Sequence, residues 1–478
     1  MKPQAPEQAD DLQDVRPQPR DEHAPRVSRS AQLLSSRVQR KEMKKELFFR
    51  IVKCCTLVMS PLAILGLCIV LVWLADRCSS IAHAQIGTSL RADKTAVDPT
   101  RTGYVGDEAC TPCHKQQSIS YRETAHHLTS QPPDKTSILG SFKDGENILM
   151  IANPATTDVH ARLFFKMDFK EGGYYQTAVA EAGEMKLTRS GRIDVVIGSG
   201  VRGQSYLYWS GDTLYELPVS YWSEGKQWIN SPGYEDRTAN FKRPVDSRCL
   251  ECHASYIHPL STDPHTNVYD KDSLVIGISC ESCHGPGADH IAIEGASSSK
   301  QRRRSSDSIL NPVKFIRDRQ MDQCALCHNG AQRHELTPAF TYLPDQPLDQ
   351  YLAASPIDLA DQPDVHGNQV GLLTKSRCYL ASSSMSCSTC HDVHGPERAA
   401  AAYPDRCLRC HKWKSCGVSR TMGGSITHNC IDCHMPLQQC GGVVPLTAGK
   451  FLHTLIRSHW IKVYPGTDPA SAPQSALR

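Results

Sequence analysis

Apolar and polar residues alternate in three regimes along this chain. Residues 1–50 are polar, rich in Pro, Gln, Arg and Asp, and show no apolar periodicity, a composition that predicts a disordered tail. A basic stretch, RVQRKEMKKELFFRIVK, then leads into CCTLVMSPLAILGLCIVLVWLA, which runs from Cys54 to Ala75 without a charged residue. As a helix this run would measure about 33 Å, enough to cross the hydrocarbon core of a bilayer. Pro61 would kink it, which membrane-spanning helices tolerate. The basic excess on its N-terminal side predicts that the N-terminus stays in the cytoplasm and that the rest of the chain lies outside. Ala82-His83-Ala84 also has the form of a signal-cleavage site. A retained anchor and a cleaved signal both export the remainder of the chain.

The third regime begins after a linker. DVVIGSGVRGQSYLYWSGDTLYELPVSYW alternates apolar with polar residues, is rich in Tyr, Trp and Val, and is punctuated by SG and GD, which predicts strands joined by tight turns. ARLFFKMDFKEGGYYQTAVAEAG predicts a further hairpin around its GG pair. Together they predict a β-rich insertion over about 140–235, there to dock a partner or to brace the fold. Elsewhere short helices are expected, as in ACTPCHKQQSISYRETAHHL and RDRQMDQCALCHNGAQRHEL.

Composition changes the picture at two residue types. The 53 basic and 50 acidic side chains leave a net charge of +3, which gives no global sign of a nucleic-acid partner. Cysteine and histidine number 21 each, too many free thiols for an ordinary soluble enzyme. One pentapeptide explains most of them. It occurs as Cys110-x-x-Cys113-His114, Cys249-x-x-Cys252-His253, Cys280-x-x-Cys283-His284 and Cys324-x-x-Cys327-His328. It recurs as Cys387-x-x-Cys390-His391, Cys407-x-x-Cys410-His411 and Cys430-x-x-Cys433-His434.

This is the attachment signal of c-type haem. Two thiols three residues apart can add across both vinyl groups of one porphyrin, and the adjacent imidazole then lies under the iron. Structural zinc needs CxxC pairs two at a time and no histidine after each, and disulfides need no histidine at all. Seven covalently attached haems are therefore expected. Of the remaining cysteines, Cys378 and Cys416 are available for a disulfide.

The expected fold is a mainly α multihaem cytochrome c, with short helices and long loops around stacked haems, the β-rich insertion, and a single N-terminal transmembrane helix. Its expected divisions are a cytoplasmic tail over 1–50, an anchor or uncleaved signal over 51–76, a linker over 77–103 and a haem domain over 104–478. Within that domain the motifs crowd into 249–328 and 387–434.

YVGDEACTPCHKQQSISYRETAHH resembles the opening of the cytochrome c-552/c-554 family, in which an aromatic residue and a later histidine follow the first motif. GISCESCHGPGADH, RDRQMDQCALCHNG, SRCYLASSSMSCSTCHDVHG and HNCIDCHMP resemble larger exported multihaem relatives of it. The resemblance implies that His126, His290 and His394 are distal iron ligands, followed by His366 and His459. His428, two residues before Cys430, is a further candidate, expected to serve a neighbouring haem.

Two functions compete. The first is a membrane-anchored periplasmic relay of electrons between redox proteins, or from a quinol-linked donor. The second is an oxidoreductase with one open haem acting on hydroxylamine, nitrite or tetrathionate. Related nitrite reductases mark the catalytic haem with CxxCK and hydroxylamine oxidoreductases hold eight haems. All seven motifs here end in His, which favours the relay.

Overall fold

The structure is a computed structural model that describes residues 101–151, 162–295, 308–330, 334–353, 363, 367–396, 399–441 and 444–465. The chain separates into two compact units, 1–96 and 97–478, and all described residues belong to the second. The expected tail, the apolar span over 51–76 and most of the linker lie outside the described residues. Among the described residues no helix is long and apolar enough to cross a membrane.

Among the described residues, eleven strands lie between the first and second motifs: β1 (Ser130–Gln131), β2 (Ile148–Met150), β3 (Arg162–Lys170), β4 (Gly173–Ala182), β5 (Met185–Arg192), β6 (Val195–Ile197), β7 (Gly203–Ser210), β8 (Thr213–Glu216), β9 (Val219–Trp222), β10 (Gln227–Asn230) and β11 (Arg243–Pro244). β2-β3-β4-β5 form an antiparallel meander, and β1-β6-β7-β8-β11 a second sheet that β9 and β10 extend from β7. The β3–β4 turn places Glu171 at φ 51° and Gly172 at φ 70°, the left-handed pair that matches the twist of a two-residue hairpin.

Alternation along β3 turns Phe165 and Met167 inward, both fully buried. They pack with Ile193, Val196, Tyr206, Leu217, Val219, Trp228 and Phe241 into one core between the sheets. Gln176, also fully buried, ties the two sheets together. Its amide donates to the Val219 carbonyl at 2.7 Å and accepts from the Val219 N–H at 3.0 Å. Both polar ends of the side chain are thus satisfied where water cannot reach.

The expectation of a mainly α fold is corrected, because helix and strand occur in about equal amount among the described residues. Strands are not confined to one insertion. β12 (Ala254–Pro259) and β13 (Tyr269–Ile276) pair between the second and third motifs, and β14 (Leu437–Gln439) pairs with the strand Leu455–Arg457 beyond the seventh. The longest described helix is Arg317–His328, with 12 residues, and the helices at the other motifs span three to seven. Each needs only the one turn that brings its Cys, Cys and His together, so helix content stays low. The N-terminal transmembrane helix of the expected fold likewise gains no support from any described helix.

Candidate haem sites

Each motif folds as a single tight turn. The histidine N–H donates to the carbonyl of the first cysteine in four of them, at 2.9 Å for His114, His391 and His411 and 3.0 Å for His284. Residues i and i+4 then lie one above the other and i+3 beside them, so both sulfurs and the imidazole share one face. Side chains between the cysteines turn the other way. Leu250, Ala325 and Ile431 are buried there, the first two in separate apolar cores.

Four motif histidines face a second imidazole. Ring centres are 6.3 Å apart for His114 and His290, and 5.9 Å for His126 and His328. They are 6.0 Å apart for His284 and His394, and 6.2 Å for His391 and His459. An imidazole–metal bond of about 2.0 Å, with about 1.1 Å from ring nitrogen to ring centre on each side, separates two such centres by about 6 Å. The spacing therefore fits one iron held between two rings. Interplanar angles are 14°, 21° and 26° in three pairs and 74° for His126 and His328.

The surroundings orient these rings. His284 Nδ1 lies 2.8 Å from the Leu310 carbonyl, His434 Nδ1 3.0 Å from the Lys462 carbonyl and His459 Nδ1 3.2 Å from the Arg457 carbonyl. A carbonyl on Nδ1 fixes the proton there and leaves Nε2 free for a metal. His394 is drawn toward His284 by Ser120, whose hydroxyl donates to its backbone carbonyl at 2.6 Å. Burial, then repulsion from His328 and His391, pushes His126 down to about 4. His126 is nonetheless solvent-exposed by area, as a side chain lining a slot within the protein would be. Burial and then His391 push His459 down to about 4 as well. Both rings are held neutral, the form that ligates.

The described thiols do not gather in fours. Among the described residues no group of three or more His, Cys, Asp or Glu side chains could hold a metal ion by itself. Burial raises Cys110 and Cys283 above the ordinary thiol range, and the adjacent Cys252 and then burial raise Cys327. That is the reverse of what a thiolate ligand needs. Cys378 and Cys416 are unbridged, so the expected disulfide between them is not formed.

Sites adjoin one another in one continuous, branched series. Thiols meet within hydrogen-bonding range at Cys110 and Cys280, Cys252 and Cys327, Cys324 and Cys387, and Cys407 and Cys430. Gln323 donates to the Cys283 carbonyl at 3.1 Å, and Cys390 and Cys407 interact electrostatically. The fourth motif thus touches the second, third and fifth.

Residues inside the motifs make the locks. Glu281, buried between Cys280 and Cys283, accepts from the N–H groups of Val105, Gly106 and Gly287 at 2.8–3.1 Å. In return Asp107 accepts from the Cys280 N–H at 2.8 Å. First and third motifs are therefore clamped from both sides. Arg248 pairs with Glu251 and donates to the Leu326 carbonyl at 2.6 Å, joining the second motif to the fourth. Asp432 pairs with Arg457 at 2.7 Å. Cysteine and histidine spacing points to none of these residues. A charged side chain between two motif cysteines is the signal that sequence offers for them.

Other candidates fall elsewhere. His366 lies outside the described residues. His428 is exposed at the end of the turn Gly423–His428, and among the described residues no ring faces it. His253 Nδ1 is 3.0 Å from the Thr129 hydroxyl, and His411 is exposed.

The sequence profile of the family described as "Cytochrome c554 and c-prime" matches residues 223–285. The chain is 26% identical over 180 residues to the C-type polyheme cytochrome OmcB of Geobacter sulfurreducens, in each of two strains. The match covers 33% of this chain and 21% of that protein, so the chain spans about a fifth of the length of the curated relatives it matches. The crystal structure of the outer cell wall cytochrome OcwA aligns over 76% of this chain and 80% of its own, with 16% identity and a TM-score of 0.46.

Proposed function

We propose that this chain, a multihaem c-type cytochrome, is an exported relay that passes electrons between redox proteins through seven covalently attached haems. Cys110 and Cys113, Cys249 and Cys252, Cys280 and Cys283, Cys324 and Cys327, Cys387 and Cys390, Cys407 and Cys410, and Cys430 and Cys433 would carry the thioethers. The histidine after each pair would be the proximal ligand. His290, His126, His394 and His459 would be distal ligands at the first, fourth, third and fifth sites, in that order. Bound haem supplies one-electron exchange at iron, with a potential set by ligands and surroundings.

The single observation that carries the reading is the four facing imidazole pairs, spaced 5.9–6.3 Å. Two protein ligands on one iron leave no position for a substrate, so these sites suit transfer and not bond chemistry. The Nδ1 contacts of His284 and His459 hold each ring in line. The clamps at Glu281 and Arg248 keep neighbouring sites at fixed separation. An apolar run preceded by a basic flank supports export of the haem-bearing part.

The test is a mass measurement of the mature protein together with low-temperature EPR of its oxidised form. A mass gain of seven haems with low-spin signals is expected. A high-spin signal that shifts on adding nitrite or hydroxylamine would overturn the relay in favour of an oxidoreductase.

A further inference from the structure

The series of sites reaches the surface at three places. Cys113, Cys249 and Cys410, of the first, second and sixth motifs, are the exposed motif cysteines. Charge separates the three. At the first, Arg122 is neutralised by Glu108 at 2.7 Å. At the second, Arg248 pairs with Glu251, and Arg243 with Glu216 at 3.2 Å. The sixth differs. Residues 404–422 hold Arg406, Arg409, Lys412, Lys414 and Arg420 against Asp405 alone, a local balance of +4 in a chain whose net charge is +3. Arg409, Lys412, Lys414 and Arg420 are exposed, and among the described residues none of the five cations is in an ion pair. Trp413, half-buried, lies between the two lysines with Lys414 Nζ 5.8 Å from its ring centre.

Uncompensated cations of one sign around an exposed redox site create a field that extends about a Debye length, roughly 8–10 Å, into solution. Such a field orients an incoming protein before contact and raises its encounter rate. Repulsion among the five costs stability, and no fold element uses it. We propose that the surface around the sixth motif, centred on Arg409, Lys412, Lys414 and Arg420, is the docking site for an acidic redox protein. This rests on the relay reading. The first and second sites, where acidic side chains offset the basic ones (Asp107, Glu108 and Glu123 against Lys115 and Arg122; Glu216, Asp246 and Glu251 against Lys242, Arg243 and Arg248), are left as the ends that serve a partner of different chemistry.

Reduced plant-type ferredoxin, a strongly acidic one-electron donor, is a suitable probe, with the methyl viologen radical cation as a small cationic donor. Stopped-flow reduction of the haem-loaded protein by ferredoxin should be fast at low salt and slow by about tenfold or more as salt is raised, whereas reduction by a small cationic donor should not. Lys414→Glu with Arg420→Glu should lower the low-salt rate by about tenfold and flatten its salt dependence. Lys414→Gln with Arg420→Gln should give a smaller loss of the same sign. Calorimetric titration of the two oxidised proteins should show binding to wild type that both variants weaken. Reduction by the methyl viologen radical cation should not fall in either variant, and haem content should match wild type. Ferredoxin rates and binding unmoved by either double substitution would overturn the docking site and leave the relay standing. Binding of the basic surface to anionic phospholipid vesicles with no effect on ferredoxin would overturn it too. If neither donor reduces the wild-type protein, the relay reading itself fails.

Discussion

At the scale of single residues, two positions carry more than their chemistry suggests. Gly277 sits at φ +68°, and a Cβ there would lie 2.3 Å from the His127 carbonyl. Next to it, the Ile278 N–H donates to the His126 carbonyl at 3.0 Å, and Tyr121 donates its hydroxyl to the Ile278 carbonyl at 2.8 Å. Gly277→Ala should therefore push the 126–127 backbone outward and weaken the His126 contact. EPR should then lose one low-spin component and gain a high-spin one, with a stability loss of about 1–3 kcal/mol. That component is identifiable in advance. The His126 and His328 rings cross at 74° while the other three pairs lie within 26°, so an iron held between them would be set apart from the other three. The second position is Asp194. Burial raises its carboxyl above the ordinary range, against the lowering effects of the Trp209 N–H, Arg192 and Lys271. With the folded pKa above the unfolded one, the folded state holds the proton more tightly, so stability falls as pH rises through that window. Asp194→Asn keeps an oxygen for the Trp209 N–H, which Asp194 now accepts at 2.8 Å. It should raise Tm at pH 7 and lose that advantage near pH 3, as thermal melts across pH would show.

At the scale of elements, the motif turns act as hinges riveted to one another. Glu281 and Asp107 bind each other's segment, so removing one carboxylate should loosen two haem sites at once. Glu281→Ala leaves three N–H donors without their acceptor, a loss of about 2–4 kcal/mol, and should broaden the signals of both the first and third sites. Loss confined to the third site would show that the clamp does not fix their separation. Strands and helices here differ in how far sequence can reveal them. The motifs are legible because their chemistry closes within five residues. The β3–β4 hairpin is legible because Phe165 and Met167 alternate with polar neighbours ahead of the Gly172–Gly173 pair. The balance of helix and strand is not legible. β12, β13 and β14 sit beside motifs, where cysteine spacing suggests helix, and DSLVI or LQQ carries little pattern of its own. Nor can spacing say which ring faces which, because each facing histidine comes from a distant part of the chain.

At the scale of the whole molecule, those distant donors interlace. His290 follows the third motif yet faces the first, His126 follows the first yet faces the fourth, and His394 follows the fifth yet faces the third. His290→Ala should convert one site to high spin in an EPR spectrum. The other facing pairs, which share no ligand with it, should keep their signals. The same weaving has a consequence for biogenesis. Sites are not completed in the order in which their cysteines emerge. When the first motif emerges during synthesis, its facing imidazole is still far behind, whereas the fourth motif would find its own already present. His459, beyond every motif, closes the fifth site last. A chain halted after the seventh motif would thus carry its full set of attachment points and still contain an unfinished centre in the middle of the series. Quality control that inspects only haem attachment would pass it, while one that senses iron ligation would not.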